Sequence, residues 1–427
     1  MSQFKLSYYN FIHKFSSKQM LIWNTFTGSV FFVDPNEATE FEKQSGAWFE
    51  GNKHYFIDGG VLVKAEEQQN QIDFIMNKRR EFVEQTKTIS FTILPTTACN
   101  ARCLYCFELN NQIMTMSNEC IKTVVAFIEK QSKDFEQISI TWFGGEPLLF
   151  PNIISAIMTE LSIVCASKKI SCSMISNGVL FDAETVQKAK MDWHVDYVQI
   201  TLDGTQYNYE RIKNYINIQG AFSIVLNNIQ SLVDGGVDVS IRLNVDKENW
   251  KDLIDLIDEL HIRFDNKIHV YAYPIFETRE NDKNLIGKRE LAFYLGKIFE
   301  KLKKAGYRTQ ICEFKEFVPW YCASTLPYNF VIMPNGKLLK CQSEIGQEQY
   351  LGDVGRGMID YERNLAFSRV ELDNDCIKCC YLPICQGGCL ASSKCISKIE
   401  RCCLEKYYLH ELLDEYFLKE NEELLNL

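Results

Sequence analysis

Thr96-Thr97-Ala98-Cys99-Asn100-Ala101-Arg102-Cys103-Leu104-Tyr105-Cys106-Phe107-Glu108 is the stretch that decides how this chain is read. Its cysteines are spaced C-x3-C-x2-C. Three thiolates on one tight loop can hold three irons of a cubane cluster and leave the fourth without a protein ligand. An open iron is a place for chemistry, whereas a fully ligated cluster mostly passes electrons. A zinc knuckle or a redox dithiol is the competing reading. Zinc needs four ligands, and no fourth Cys or His lies close by on this loop.

Working outward, the loop follows an apolar, β-rich run at 89–94. Similar runs recur at 138–143, 170–175, 197–202, 237–243 and 268–273. Helical patterns lie between them at 120–130, 153–164, 183–190, 221–232 and 250–260, and a longer one covers 288–304. Six βα units imply an α/β fold with a parallel sheet, open or curled into a partial (β/α)6 barrel. Catalytic groups of such folds collect where strands end. The motifs fall there. The cysteine loop follows the first strand, Gly144-Gly145-Glu146-Pro147 the second, Ser176-Asn177-Gly178 the third and Asp203-Gly204 the fourth. The paired glycines admit a ligand close to the backbone. Glu146 offers a carboxylate and backbone carbonyls to an amine. Arg211 is a candidate partner for a carboxylate.

The cysteine triplet with Tyr105 before its third member, then Gly-Gly-Glu-Pro, then Ser-Asn-Gly, resembles the radical S-adenosylmethionine (SAM) superfamily over roughly residues 89–275. The resemblance implies a 4Fe–4S cluster on Cys99, Cys103 and Cys106. SAM would chelate the open iron and be cleaved to a 5′-deoxyadenosyl radical. It also implies that Gly144, Gly145, Glu146 and Pro147 receive the methionine amine. Ser176, Asn177 and Arg211 would help to hold the carboxylate and ribose.

Eleven of the seventeen cysteines lie within 309–403, a loop-rich stretch with little apolar periodicity. Such a stretch needs metal to hold it together. Cys322, Gly336-x4-Cys341, Cys376-x2-Cys379-x5-Cys385-x3-Cys389 and the pair Cys402/Cys403 resemble the SPASM extension of peptide-modifying radical SAM enzymes. That resemblance implies two auxiliary 4Fe–4S clusters. One would use Cys322, Cys341 and Cys389. The other would use Cys376, Cys379, Cys385 and either Cys402 or Cys403. Cys312 is a candidate fourth ligand for the first; otherwise an open iron could take a substrate thiolate. A zinc ribbon is the competing reading of these pairs. Cys380 and Cys395 fit neither spacing. Cys120, Cys165 and Cys172 lie in apolar contexts and read as core residues.

Composition sets the outer bounds. The chain has 427 residues, 46% of them hydrophobic, and a formal charge of −10. That charge argues against nucleic acid as a partner. The N-terminus lacks an apolar signal region, and no run of about 18 apolar residues could span a bilayer. The expectation is a cytoplasmic protein with no membrane partner. Residues 1–88 read as a small α+β, winged-helix-like unit. It has a hairpin from 20–23 to 30–33, a helix start at Asp34-Pro35, a second β pair at 55–57 and 61–63, and a polar helix over 66–84.

The three expected segments are therefore 1–88, which would bind a leader peptide, the radical core 89–308, and the iron–sulfur domain 309–427 with its C-terminal helix from Leu404. The resemblance to ribosomal-peptide maturases implies a precursor peptide as substrate, a thioether or carbon–carbon cross-link as product, and flavodoxin or ferredoxin as electron donor. A sulfatase-type maturase is the nearest alternative. Those enzymes usually place an acidic residue where Gln342 follows Cys341. A non-catalytic electron carrier is the alternative of another class, and it would need no SAM motifs.

Overall fold

The computed structural model describes residues 4–414 except 16, 110, 276–287, 309–315, 320–321, 359, 369–371, 390–401, 404 and 407. Cys312, Cys395 and the expected helix beyond 414 lie outside the described residues. The chain divides into two compact units. The larger comprises Thr86–Thr309 and Leu326–Ser368; the smaller comprises Met1–Gln85, Gln310–Thr325 and Arg369–Leu427. The stretch 326–368 thus folds with the core that precedes it.

In the smaller unit β1 (Lys5–Leu6), β2 (Asn10–Lys14), β3 (Met20–Asn24) and β4 (Val30–Val33) are followed by α1 (Pro35–Lys43), α2 (Ala47–Asp58), β5 (Leu62–Val63) and α3 (Ala65–Gln85). The expected hairpin is present, with Met20 opposite Val33 and Trp23 opposite Val30. Asp34 starts α1, its backbone N–H donating to Glu37 Oε2 at 3.2 Å.

The strand expected at 55–57 is instead part of α2. Two forces override the local β preference. Phe49 and Phe56 stand seven residues apart and are buried on one helix face. Glu40 Oε2 accepts the backbone N–H groups of Trp48 at 2.9 Å and Phe49 at 3.1 Å, satisfying orphan donors of the first turn. β5 consequently pairs with β1.

The run Met-Leu-Ile-Trp in β3 is apolar on both faces because both faces are covered. Met20 and Ile22 pack with Phe41, Phe49 and Phe56. Leu21 and Trp23 pack with Phe11, Tyr381, Leu409 and Leu413, alongside half-buried Cys379, Cys380, Cys385 and Cys403. Each such side chain contributes about 1.5–3 kcal/mol on burial. The N-terminal sheet therefore shares one core with the C-terminal cysteine segment.

The larger unit is built on β6 (Thr88–Ile93), β7 (Gln137–Trp142), β8 (Lys169–Ser176), β9 (Val195–Leu202), β10 (Asp238–Val245) and β11 (His269–Pro274). All six run parallel, each beside its neighbour in sequence. Helices α4 (Asn118–Gln131), α5 (Pro151–Val164), α6 (Ala183–Met191), α7 (Gln206–Lys213), α8 (Ala221–Asp234), α9 (Trp250–Phe264) and α10 (Lys288–Lys304) lie between and after them. Beyond β6 the sheet continues through β12 (Asn329–Ile332), parallel to β6, then antiparallel β13 (Lys337–Leu339), β14 (Gly352–Asp353) and β15 (Gly357–Met358). The terminal strands β11 and β15 do not pair with each other, so the barrel is partial.

The pleat sorts this sheet by face. Phe91 and Phe330 meet Phe127 of α4, and Cys172 meets Met158 of α5. Positions one residue along, such as Ser90, Ser139, Thr141, Ser173, Gln199 and Arg242, point the other way and are half-buried. The helix-covered face is apolar and the opposite face polar. No helix among the described residues is long and apolar enough to cross a membrane.

Candidate active site

The parallel strands carry all four motifs to one end of the sheet, because each motif begins where its strand stops. The cysteine loop is docked there by backbone bonds. Arg102 N donates to Lys213 O at 2.9 Å, Leu104 N to Ile212 O at 3.2 Å, and Ile216 N to Asn100 O at 2.8 Å. The end of α7 and the segment after it thus hold the loop.

The glycine pair lets the cysteine loop pack close to the second strand end. A Cβ on Gly144 would lie 2.3 Å from Thr96 O, and one on Gly145 would lie 2.2 Å from Ala98 O. Gly144 also has φ +117°. What these glycines admit is the protein's own cysteine loop, which receives Glu146 N on Ala98 O at 2.9 Å. The Glu146 carboxylate is likewise committed internally. It accepts from Leu148 N at 3.1 Å, Asn177 N at 2.9 Å and Ser176 Oγ at 3.0 Å. Burial pushes its pKa up to about 7 against the pull of those donors. The carboxylate therefore ties the second strand end to the third. Asn177 extends the tie, donating from Nδ2 to Asn100 Oδ1 at 2.7 Å.

Tyr105 hydrogen-bonds both Asp203 oxygens, at 3.0 and 2.9 Å. Lys213 Nζ completes the group, 3.1 Å from Asp203 Oδ2 and 3.1 Å from the Tyr105 hydroxyl. Burial works against the Lys213 ammonium, but Asp203, Tyr105 and Cys103 raise its pKa well above the ordinary lysine value. Tyr209 and Tyr215 join hydroxyls at 2.8 Å, and Tyr215 donates to Asn177 O at 3.3 Å. Arg211 is placed elsewhere. It is half-exposed on α7, donates to Asn208 Oδ1 and lies 3.9 Å from Glu248. The cation that α7 brings to the cysteine loop is Lys213, two residues on, which the sequence reading passed over.

The donor set suits a cluster with an open iron. Cys99, Cys103 and Cys106 are free, half-buried thiols on one loop. Burial pushes the Cys99 thiol up to about 12, so a metal's charge is what would hold it as thiolate. Asn100 Nδ2 is buried there without a hydrogen-bond partner, a donor left over for a sulfur-rich group. When bound, a 4Fe–4S cluster with SAM supplies one-electron cleavage of a sulfonium S–C bond. The surrounding residues position the loop and fix the strand ends around it.

In the smaller unit, Cys379 and Cys380 lie side by side, as do Cys385 and Cys403. Lys406 Nζ donates to Cys402 Sγ at 3.5 Å and also acts on Cys376 and Cys379 through its charge. Cys322 and exposed Cys389 belong to this unit, whereas Cys341, just after β13, belongs to the larger one. Of the three cysteines expected in the core, Cys165 and Cys172 are buried and Cys120 is half-buried.

Comparison with known proteins agrees with this geometry. Residues 93–260 match the radical SAM superfamily. The chain is 24% identical to Fe-coproporphyrin III synthase of Methanosarcina barkeri over 51% of its own length and 53% of that protein. It is 23% identical to a cysteine-type anaerobic sulfatase-maturating enzyme of Clostridium novyi over 71% of this chain and 88% of that one. It is 25% identical to the radical SAM cyclopropyl synthase TigE of Paramaledivibacter caminithermalis over 79% and 75%. Among solved structures it is similar to native anSMEcpe with bound AdoMet, with TM-score 0.61, 18% identity, and coverage of 79% of this chain and 98% of that one. Streptococcus suis SuiB bound to precursor peptide SuiA gives TM-score 0.54 and 16% identity, covering 94% and 99%. Residues 93–260 are a radical SAM domain, and the relatives that match the chain include maturases.

Proposed function

We propose that this enzyme installs an intramolecular thioether or carbon–carbon cross-link on a ribosomally made precursor peptide. The observation that carries the reading is the free edge of the N-terminal sheet. Among the described residues β4 pairs on one side only, and its Phe32 is 55% exposed. An extended leader could add there as a further strand, with main-chain bonds for affinity and side-chain pockets for selectivity. The likeness to SuiB, a structure bound to a precursor peptide, extends over 94% of this chain and supports the same assignment.

Cross-linking removes two electrons from the substrate. Two auxiliary 4Fe–4S clusters would give them a path. Their proposed ligands are Cys322, Cys341 and Cys389, with Cys312 as a candidate fourth, and Cys376, Cys379, Cys385 with Cys402 or Cys403. A flavodoxin or ferredoxin would supply the electron that cleaves SAM.

The second reading, formylglycine formation on a protein Cys or Ser, is favoured by the match over 88% of a sulfatase-maturating relative. Incubation with a small precursor encoded beside this gene separates the two. A cross-linked product lacks two hydrogens and carries a new linkage in its fragment spectrum. An aldehyde formed on a sulfatase-derived Cys peptide, with the precursor untouched, would favour the second reading.

A further inference from the structure

We propose that Arg242 is the carboxylate-recognition residue of the substrate site, holding an aspartate, glutamate or C-terminal carboxylate of the peptide while the radical acts nearby. This rests on the reading that the substrate is a peptide. Arg242 lies on β10, on the polar face of the sheet, opposite Thr201 of β9 and Tyr271 of β11. It is half-buried. Its neighbours hold its guanidinium in a fixed plane. Nε donates to Asn244 Oδ1 at 2.9 Å, and Cζ stands 4.5 Å from the centroid of the Tyr273 ring. Tyr271, its neighbour on β11, donates its hydroxyl to Gln199 Oε1 at 2.6 Å.

Every group named here is neutral. Among the described residues no carboxylate forms an ion pair with Arg242. A guanidinium fork pre-oriented by stacking and the Nε bond keeps its terminal N–H groups for a carboxylate, which they can bind bidentately. Arg242 is one strand from β9 and two residues short of the level of Asp203, the residue that binds Tyr105 of the cysteine loop. Those steps amount to about 8 Å of backbone separation. A group held by Arg242 is therefore close to the reacting centre.

SAM's own carboxylate is the competing occupant. It shares a carbon with the amine, so it must stay within a few ångströms of whatever binds that amine. The expected amine site, Gly144–Pro147, follows β7, three strands from β10, or about 14 Å along the sheet. That spacing favours the peptide.

The test uses the full-length, cluster-loaded protein and the arginine reagent phenylglyoxal, with labelling at Arg242 read by peptide mass mapping. The probes are N-acetyl-aspartyl-N-methylamide, its asparaginyl isostere, and SAM. The aspartyl probe at saturation should slow labelling of Arg242 at least about threefold, and the asparaginyl probe and SAM should not. Protection by SAM alone, equal protection by both amides, or none from the aspartyl probe would each overturn the proposal. None of these readouts requires a cross-link. A wild-type enzyme that leaves the neighbouring precursor unmodified would count against the proposed function, and is read separately.

Discussion

Lys213 Nζ lies 3.1 Å from Asp203 Oδ2, with side-chain exposures of 4% and 0%. Through Tyr105 and the backbone bond from Arg102, this pair fastens the cysteine loop to the strand ends. Removing one partner of a buried pair leaves an uncompensated charge and costs about 3–5 kcal/mol. Lys213→Met should lower stability by that order in denaturant titration of the cluster-free chain. Lys213→Met with Asp203→Asn should recover part of the loss. Additive losses would show that the two residues are not coupled.

Glu146 gives a pH dependence with a definite sign. Burial raises its pKa from 4.5 to about 7. The folded state therefore holds more protons than the unfolded state across that window. Its contribution to stability falls as pH rises from 4.5 and is fully lost above about 7. Glu146→Gln should gain on the wild type by about 3 kcal/mol between pH 4.5 and 8. Parallel stability curves for the two proteins would contradict the assignment.

Gly144→Ala and Gly145→Ala should each displace the cysteine loop, because the added Cβ meets backbone oxygens at 2.3 and 2.2 Å. Backbone cannot swing aside as a side-chain end can. We expect each variant to lose most of the roughly four irons of the SAM-binding cubane, read as iron per chain, with SAM cleavage falling at least about tenfold. Normal iron and normal cleavage would show that the contact is not limiting.

The shared core of the smaller unit ties the N-terminal sheet to the cysteine segment. Leu21 and Trp23 of β3 pack on Tyr381, Leu409 and Leu413 beside Cys379, Cys385 and Cys403. Chelating metal from the reconstituted protein should therefore speed hydrogen exchange in Met20–Asn24 by at least about tenfold, before β6 to β11 respond. Unchanged protection in β3 would mean that the sheet holds without the metal. Deleting the N-terminal sheet is a poorer test of leader binding, since it also uncovers this core.

The six-strand core was legible because β6 to β11 are strongly apolar on one face and separated by long amphipathic helices. What escaped had weaker signals. Helix α7 is eight residues long and mostly polar, so its pattern did not stand out, and Lys213 at its end went unnoticed beside the more conspicuous Arg211. Strands β12 to β15 are two to four residues long, too short for alternation to register. The run at 55–57 looked β-like locally, but the burial of Phe49 and Phe56 on one helix face decided otherwise. The motifs pointed to the right strand ends. What the strand-end residues touch within the protein, as at Gly144 and Glu146, is set by contacts distant in sequence.

The proposed chemistry rests on the three thiols Cys99, Cys103 and Cys106. The direct measurement is dithionite-driven cleavage of SAM to 5′-deoxyadenosine by the anaerobically reconstituted triple variant Cys99→Ala, Cys103→Ala, Cys106→Ala. We predict no cleavage and the loss of about four irons per chain relative to wild type. Cleavage persisting at the wild-type rate in that variant would contradict the assignment of these cysteines as the cluster site.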